Sequence, residues 1–132
     1  MLTHSKAFSG FAVEDLGEAR RFYGETLGLK NRILDAENGL MELELAGDRP
    51  TLVYQQQGCT PASYTILNFP VDDIDETVDE LRSRGVSFER YEGFPFEQDE
   101  KGIARGRAVN QGPDIAWFKD PSGNVLSVLQ ES

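Results

Sequence analysis

Two spacings of apolar residues alternate along the chain, and they mark two helices set among short strands. Leu16, Ala19, Phe22, Tyr23 and Leu27 share one helical face, as do Ile74, Val78 and Leu81. Each stretch opens on the same start signal, Asp15 with Glu18 and Asp73 with Glu76. An aspartate at the N-cap accepts from free backbone N–H groups, and an acid three residues on suits the positive end of the helix dipole. Gly28 and Gly85 suit the C-terminal stops. A short strand precedes each helix, "AFSGFAV" and "YTILNFPV". Strand-like runs follow: "NRILDAE", "GLMELELA" and "PTLVYQQQ" after the first, "SFERYEG", "DIAWFK" and "NVLSVLQ" after the second. In "GLMELELA", Leu40, Glu42 and Glu44 alternate with Met41, Leu43 and Leu45, the mark of a half-buried strand with a solvated face. "AGDRP" and "DPSGN" supply hairpin-turn residues.

The two halves are one unit written twice. "FAVEDLGEARRFYGETLGL" aligns with "FPVDDIDETVDELRSRGV", matching Val13 to Val71, Asp15 to Asp73, Leu16 to Ile74 and Glu18 to Glu76 at constant spacing. The spacing then slips by one position between Gly28 and Gly85. The expected architecture is therefore α+β: two tandem βαβββ modules, at about 5–57 and 64–131, in one domain spanning 1–132. "QQQGCTPAS" reads as the linker between them. "GFPFEQDEKGIARGRAVNQGPD" (93–114) is a long loop carrying both charge signs. A loop of that length is expected to be a lid over a binding site or to be disordered.

Composition narrows the functional classes. A net charge of −10 disfavours nucleic acid, whose phosphates would be repelled. It favours cationic over anionic small molecules only weakly and chiefly aids solubility. No apolar run is long enough to span a membrane, and "MLTHSKAF" has no hydrophobic signal region, so a cytoplasmic location is expected. Cys59 is the single cysteine, which leaves no internal disulfide and no CxxC pair for zinc. As a nucleophile it would need a base, and the single histidine is His4.

Three words in order, "VEDLGEARRFYGETLGL", "VDDIDETVDELRSRG" and "FKDPSGNVLSVLQ", over a duplicated unit, resemble the vicinal oxygen chelate superfamily. That group includes glyoxalase I, extradiol dioxygenases, and bleomycin- and fosfomycin-resistance proteins. The resemblance implies that each half curls its mixed sheet into an open cup with the helix outside. Two cups, within one chain or across a homodimer, would enclose a cavity. Strand alternation then puts Phe11, Val13, Phe69 and Val71 toward the helices, and Phe8, Gly10, Ala12, Ile66 and Asn68 toward the cavity.

Metal-using members of the family hold a divalent ion with four side chains. The resemblance carries those positions onto Phe8, Ile66, Ser127 and Val53, with Leu52 as the alternative to Val53. Phe, Ile and Val have no lone pair to donate, and one serine hydroxyl cannot hold a divalent ion against water. Neighbouring registers are no better. We therefore expect no metal and no cofactor, and neither glyoxalase I chemistry nor ring cleavage, both of which depend on the ion.

The expected lining is then Phe8, Gly10, Val53, Ile66, Asn68 and Ser127. Trp117 joins it if the 120–124 turn is a symmetric hairpin. Such an apolar, aromatic lining with a few hydrogen-bonding groups suits a small organic ligand. Phe8 and Ile66 would equally serve as filler. Three readings stay open. One is a metal-free module that sequesters or senses an organic molecule. Another is a metal-independent enzyme of lyase or isomerase type, with Arg105, Arg107, Glu97 or Asp99 brought over the mouth by the long loop. The third is a metal enzyme whose ligands stand elsewhere.

Overall fold

Asp15 and Asp73 cap the two helices in the same way. Each lies in extended backbone, and its carboxylate accepts from the backbone N–H three residues on, at 2.9 Å from Glu18 and 3.1 Å from Glu76. The computed structural model describes residues 1–92 and 97–132. It divides into two compact units, Met1–Pro61 and Ala62–Ser132.

Unit 1 runs β1 (Ser9–Val13), α1 (Leu16–Arg20), a π-helical turn (Arg21–Thr26), β2 (Lys30–Asp35), β3 (Leu40–Leu45) and β4 (Arg49–Gln55). Its four-stranded sheet has the order β1-β4-β3-β2, with β1 parallel to β4 and the other pairs antiparallel. Phe11 and Met41 both pair with Val53, and Leu43 pairs with Thr51. Met41, Leu43 and Val53 are fully buried, as are Val13 of β1 and Tyr23 of the π-turn. Each such side chain withdrawn from water contributes about 1.5–3 kcal/mol. The opposite face carries Gly10, Leu52, Glu42 and Arg32 in one paired row across the sheet.

The periodicity of residues 16–27 reads as one α-helix, but the helix changes its pitch at Arg21. Leu27 N–H donates to Phe22 C=O at 2.9 Å, the wider i to i−5 bond. The turn absorbs the extra residue by which Gly28 follows Asp15, relative to Gly85 after Asp73. Leu16, Ala19 and Tyr23 are buried; Phe22 and Leu27 are half-buried.

Unit 2 runs β5 (Thr65–Pro70), α2 (Ile74–Ser83), β6 (Ala104–Arg105), a 3₁₀ turn (Arg107–Val109), β7 (Asp114–Lys119) and β8 (Val125–Gln130). Its sheet has the order β5-β8-β7-β6, again with the first pair parallel and the rest antiparallel. Ile74, Val78 and Leu81 of α2 are buried, together with Ala116, Phe118, Leu126 and Val128 of the sheet. The expected core residues Phe69 and Val71 are only half-buried. The Gln130 carboxamide accepts from Ile74 N–H at 3.0 Å, which puts the even-numbered residues of β8 on the helix side.

Residues 87–92 of the expected strand "SFERYEG" form no regular strand. Within it Phe88 makes a single bridge to Phe118, and the strand position beside β7 is taken by the two residues of β6. Gln98 competes for that backbone. Its carboxamide accepts from Tyr91 N–H at 2.7 Å and donates to the carbonyls of Glu89 and Gly102. The long loop therefore contains β6 and a 3₁₀ turn; its beginning, 93–96, lies outside the described residues.

The "DPSGN" turn closes as expected. Asp120 Oδ1 accepts from the N–H groups of Ser122 and Asn124, both at 2.9 Å. The Asn124 carboxamide also accepts from Ala62 N–H at 2.9 Å and so fastens the start of the unit to the turn.

Candidate functional site

The symmetric turn sets the register of β7 on β8, and that register builds a row across unit 2. Asn68 pairs with Ser127, and Ser127 pairs with Trp117. The Ser127 hydroxyl donates to Asn68 Oδ1 at 2.6 Å. Ser127 is fully buried, whereas Asn68 is exposed. The carboxamide N–H groups of Asn68 make no hydrogen bond among the described residues. Trp117 is half-buried, and its indole meets the Tyr91 ring edge-on, with centroids 5.4 Å apart at 75°. Burial, followed by the negative charge of Glu89, pushes the Tyr91 phenol above its ordinary pKa. Two aromatic rings and a hydrogen-bonded polar pair share this face. Ile66 falls in a bulge of the same sheet, between Thr65 and Leu67.

The remaining expected lining residues belong to unit 1. Phe8 precedes β1 and is 67% exposed. Gly10 pairs with Leu52, and a Cβ added to Gly10 would meet the Leu52 carbonyl oxygen at 3.1 Å. Val53 does not join them. It pairs with Phe11 and is fully buried on the other face, so the alternative position, Leu52, is the one beside Gly10. Neighbouring residues on a strand point to opposite faces, and a shift of one residue decides the matter.

Arg105 also differs from expectation. It pairs with Asp114, on the helix face of β7 and opposite to the face of Trp117. There its guanidinium meets Asp75 of α2 at 2.7 Å, Asp99 at 2.9 Å and Asp114 at 3.6 Å. Its pKa is raised, first by the hydrogen bonds to Asp75. Lys101 adds contacts of 3.3 Å to Asp75 and 3.0 Å to Asp79. Arg107 follows in the 3₁₀ turn, 3.5 Å from Asp114. Arg105 and Lys101 strap the segment onto α2, and Arg107 holds to Asp114 of β7.

Two residues of these faces escape a reading by local pattern. Tyr91 sits in a segment whose composition reads as a strand, and only the fold brings it to Trp117. Glu42 reads as solvated, yet it is half-buried in the Gly10 row, 3.4 Å from Arg32.

A divalent ion does not fit the positions that the metal-using relatives employ. Phe8, Ile66 and Leu52 offer only carbon there, and the Ser127 hydroxyl is committed to Asn68. Among the described residues no three His, Cys, Asp or Glu side chains stand together as a metal site.

The family model of the Glyoxalase/Bleomycin resistance protein/Dioxygenase superfamily matches residues 7–128. No curated protein matches the chain by sequence. Solved structures share the fold at low identity. TnmS3, an antibiotic binding protein from a Streptomyces species, is 24% identical with a TM-score of 0.67, covering 98% of this chain and 99% of its own. A member of the same superfamily from Sphaerobacter thermophilus is 24% identical with a TM-score of 0.64, covering 95% and 97%. The fosfomycin resistance protein FosX from Listeria monocytogenes is 13% identical with a TM-score of 0.70, covering 98% and 92%.

Proposed function

The chain belongs to the Glyoxalase/Bleomycin resistance protein/Dioxygenase superfamily, and from that premise we propose that it binds a small organic molecule without a metal ion. The reading rests on the Asn68–Ser127–Trp117 row with Tyr91 beside it. Ring faces of Trp117 and Tyr91 supply apolar contact, at about 25 cal/mol per Å² buried. The Asn68 carboxamide orients a polar group of the ligand. The row lies where catalytic relatives would carry a metal-binding carboxylate, and it offers hydrogen-bond donors in its place. A role in sequestration or resistance fits this chemistry and is in keeping with a neighbour titled as an antibiotic binding protein. The family resemblance also supports a cytoplasmic homodimer, which sedimentation equilibrium tests for its oligomeric half.

The test is a titration of aromatic and heteroaromatic compounds, including antibiotics, followed by tryptophan fluorescence. Trp117 is the single tryptophan, so the signal comes from the proposed site. Saturable quenching, unchanged by EDTA and with the ligand recovered intact, is the expected result. Quenching abolished by EDTA, or a panel in which nothing saturates, overturns the reading.

Glu42 favours a second reading, a metal-independent enzyme of lyase or isomerase type. It is a carboxylate on the open Gly10 face that can exchange a proton. Product formation lost in Glu42→Gln separates this reading from simple binding.

A further inference from the structure

We propose that unit 1 carries a second binding site, for a small phosphate-type anion, at the β2 edge of its sheet. A cleft of about 840 Å³ opens there between the π-helical turn and the start of β2. Arg20, Arg21 and Lys30 line it, and Gly17 and Gly24 contribute no side chains to its wall.

Three observations converge on an anion. The first is pairing. The chain carries 23 acidic residues against 13 basic ones, and Arg32, Arg84, Lys101, Arg105, Arg107 and Lys119 all form ion pairs. Among the described residues, Arg20, Arg21 and Lys30 form none. Glu25 and Glu44 line the same cleft without pairing with them. The lining thus carries three cations against two carboxylates, a local excess of positive charge in a chain of net charge −10.

The second observation is backbone shape. The π-turn occupies one wall, and it is present in unit 1 and not in α2. Single π-turns inside helices concentrate at functional sites. The third is the glycine pair. A Cβ on Gly24 would stand 2.7 Å from Nδ2 of Asn31, so the turn and β2 are in close contact at the base of the cleft. A Cβ on Gly17 would stand 3.2 Å from Oδ1 of Asp15 and 4.0 Å from Nη1 of Arg21, so the bare backbone there lies between the N-cap carboxylate and the guanidinium.

Guanidinium groups match tetrahedral oxyanions through paired N–H donors, and the lysine adds a mobile point charge. The two glutamates and the overall charge of −10 exclude extended polyanions such as nucleic acid. The ligand class is therefore a small molecule bearing one phosphate group, or free phosphate itself. This site is independent of the Asn68 row.

Amide NMR during titration with inorganic phosphate, at constant ionic strength balanced by chloride, tests the proposal. The backbone amides of Gly17, Gly24 and Asn31 are expected to move along saturable curves. Arg21→Gln with Lys30→Gln is expected to weaken binding at least ~10-fold, the equivalent of about 1.4 kcal/mol. Both side chains are exposed, so the variant's Tm without phosphate should match the parent's. A charge-preserving Arg21→Lys variant guards against misfolding and should retain part of the affinity. Linear shifts reproduced by chloride, or equal affinity in the double variant, overturn the proposal. A glucose phosphate that binds more tightly than free phosphate points to an organic monoester; equal affinities point to phosphate itself.

Discussion

Ser127 is fully buried and donates its hydroxyl proton to Oδ1 of Asn68, an exposed residue on the neighbouring parallel strand, at 2.6 Å.

The two partners of this bond should respond unequally to truncation. Asn68→Leu leaves a buried hydroxyl unpaired and should cost about 1–3 kcal/mol, whereas Ser127→Ala should cost about 0.5–1.5 kcal/mol. Urea unfolding of both single variants and the double variant measures the coupling. A coupling energy of zero would show that the pair makes no contribution.

Trp117 should dominate ligand affinity. Trp117→Ala is expected to weaken any ligand of the Asn68 row by about 1–3 kcal/mol, and Tyr91→Phe by less, since the ring survives. Calorimetric titration of both variants provides the check, because fluorescence is lost with the indole.

Adjacent residues of β4 should behave oppositely. Val53→Asp places an unpaired charge in the unit 1 core and should cost about 3–5 kcal/mol. Leu52→Asp, on the half-buried Gly10 face, should cost about 1 kcal/mol or less. Comparable losses of Tm in the two variants would mean that the sheet is registered differently.

Acid should loosen the strap on α2. Hydrogen bonds from Arg105 hold the Asp75 carboxyl down to about 2, from an ordinary value of 3.8. A depressed folded-state pKa stabilises fully above the unfolded value, and the contribution is lost as pH falls from about 4 through 2. Asp75 is nearly half exposed, so solvent screening limits the effect to about 0.5–1 kcal/mol. The urea midpoint of Asp75→Asn should lie below the parent's at pH 6 and converge with it near pH 2. A constant gap across that range would rule the ion pair out as its source.

Much of the architecture is legible in local pattern. The Asp15 and Asp73 caps, the glycines ending both helices and the Asp120–Asn124 turn each depend on contacts within a few residues. The turn even predicts Trp117 opposite Ser127, because a symmetric hairpin leaves one register. The candidate site is legible only in part. Asn68, Ser127 and Trp117 come together, while Val53 falls on the far face and Arg105 turns toward α2.

Those exceptions share one cause. The one-residue slip between Gly28 and Gly85 is visible in the repeat, whereas the π-turn that takes it up, packed beside Asn31 of β2, is seen only in the fold. Tyr91 meets Trp117 across the fold, with its backbone N–H held by the Gln98 carboxamide. Helix starts, turns and alternating faces arise from hydrogen bonds and sterics between near neighbours, and the chain alone determines them. Which face Val53 occupies, which acids Arg105 meets and which ring Trp117 touches depend on pairings between distant segments. Only the tertiary structure sets those pairings, because a shift of a single residue in any of them sends each side chain to the opposite side of the sheet.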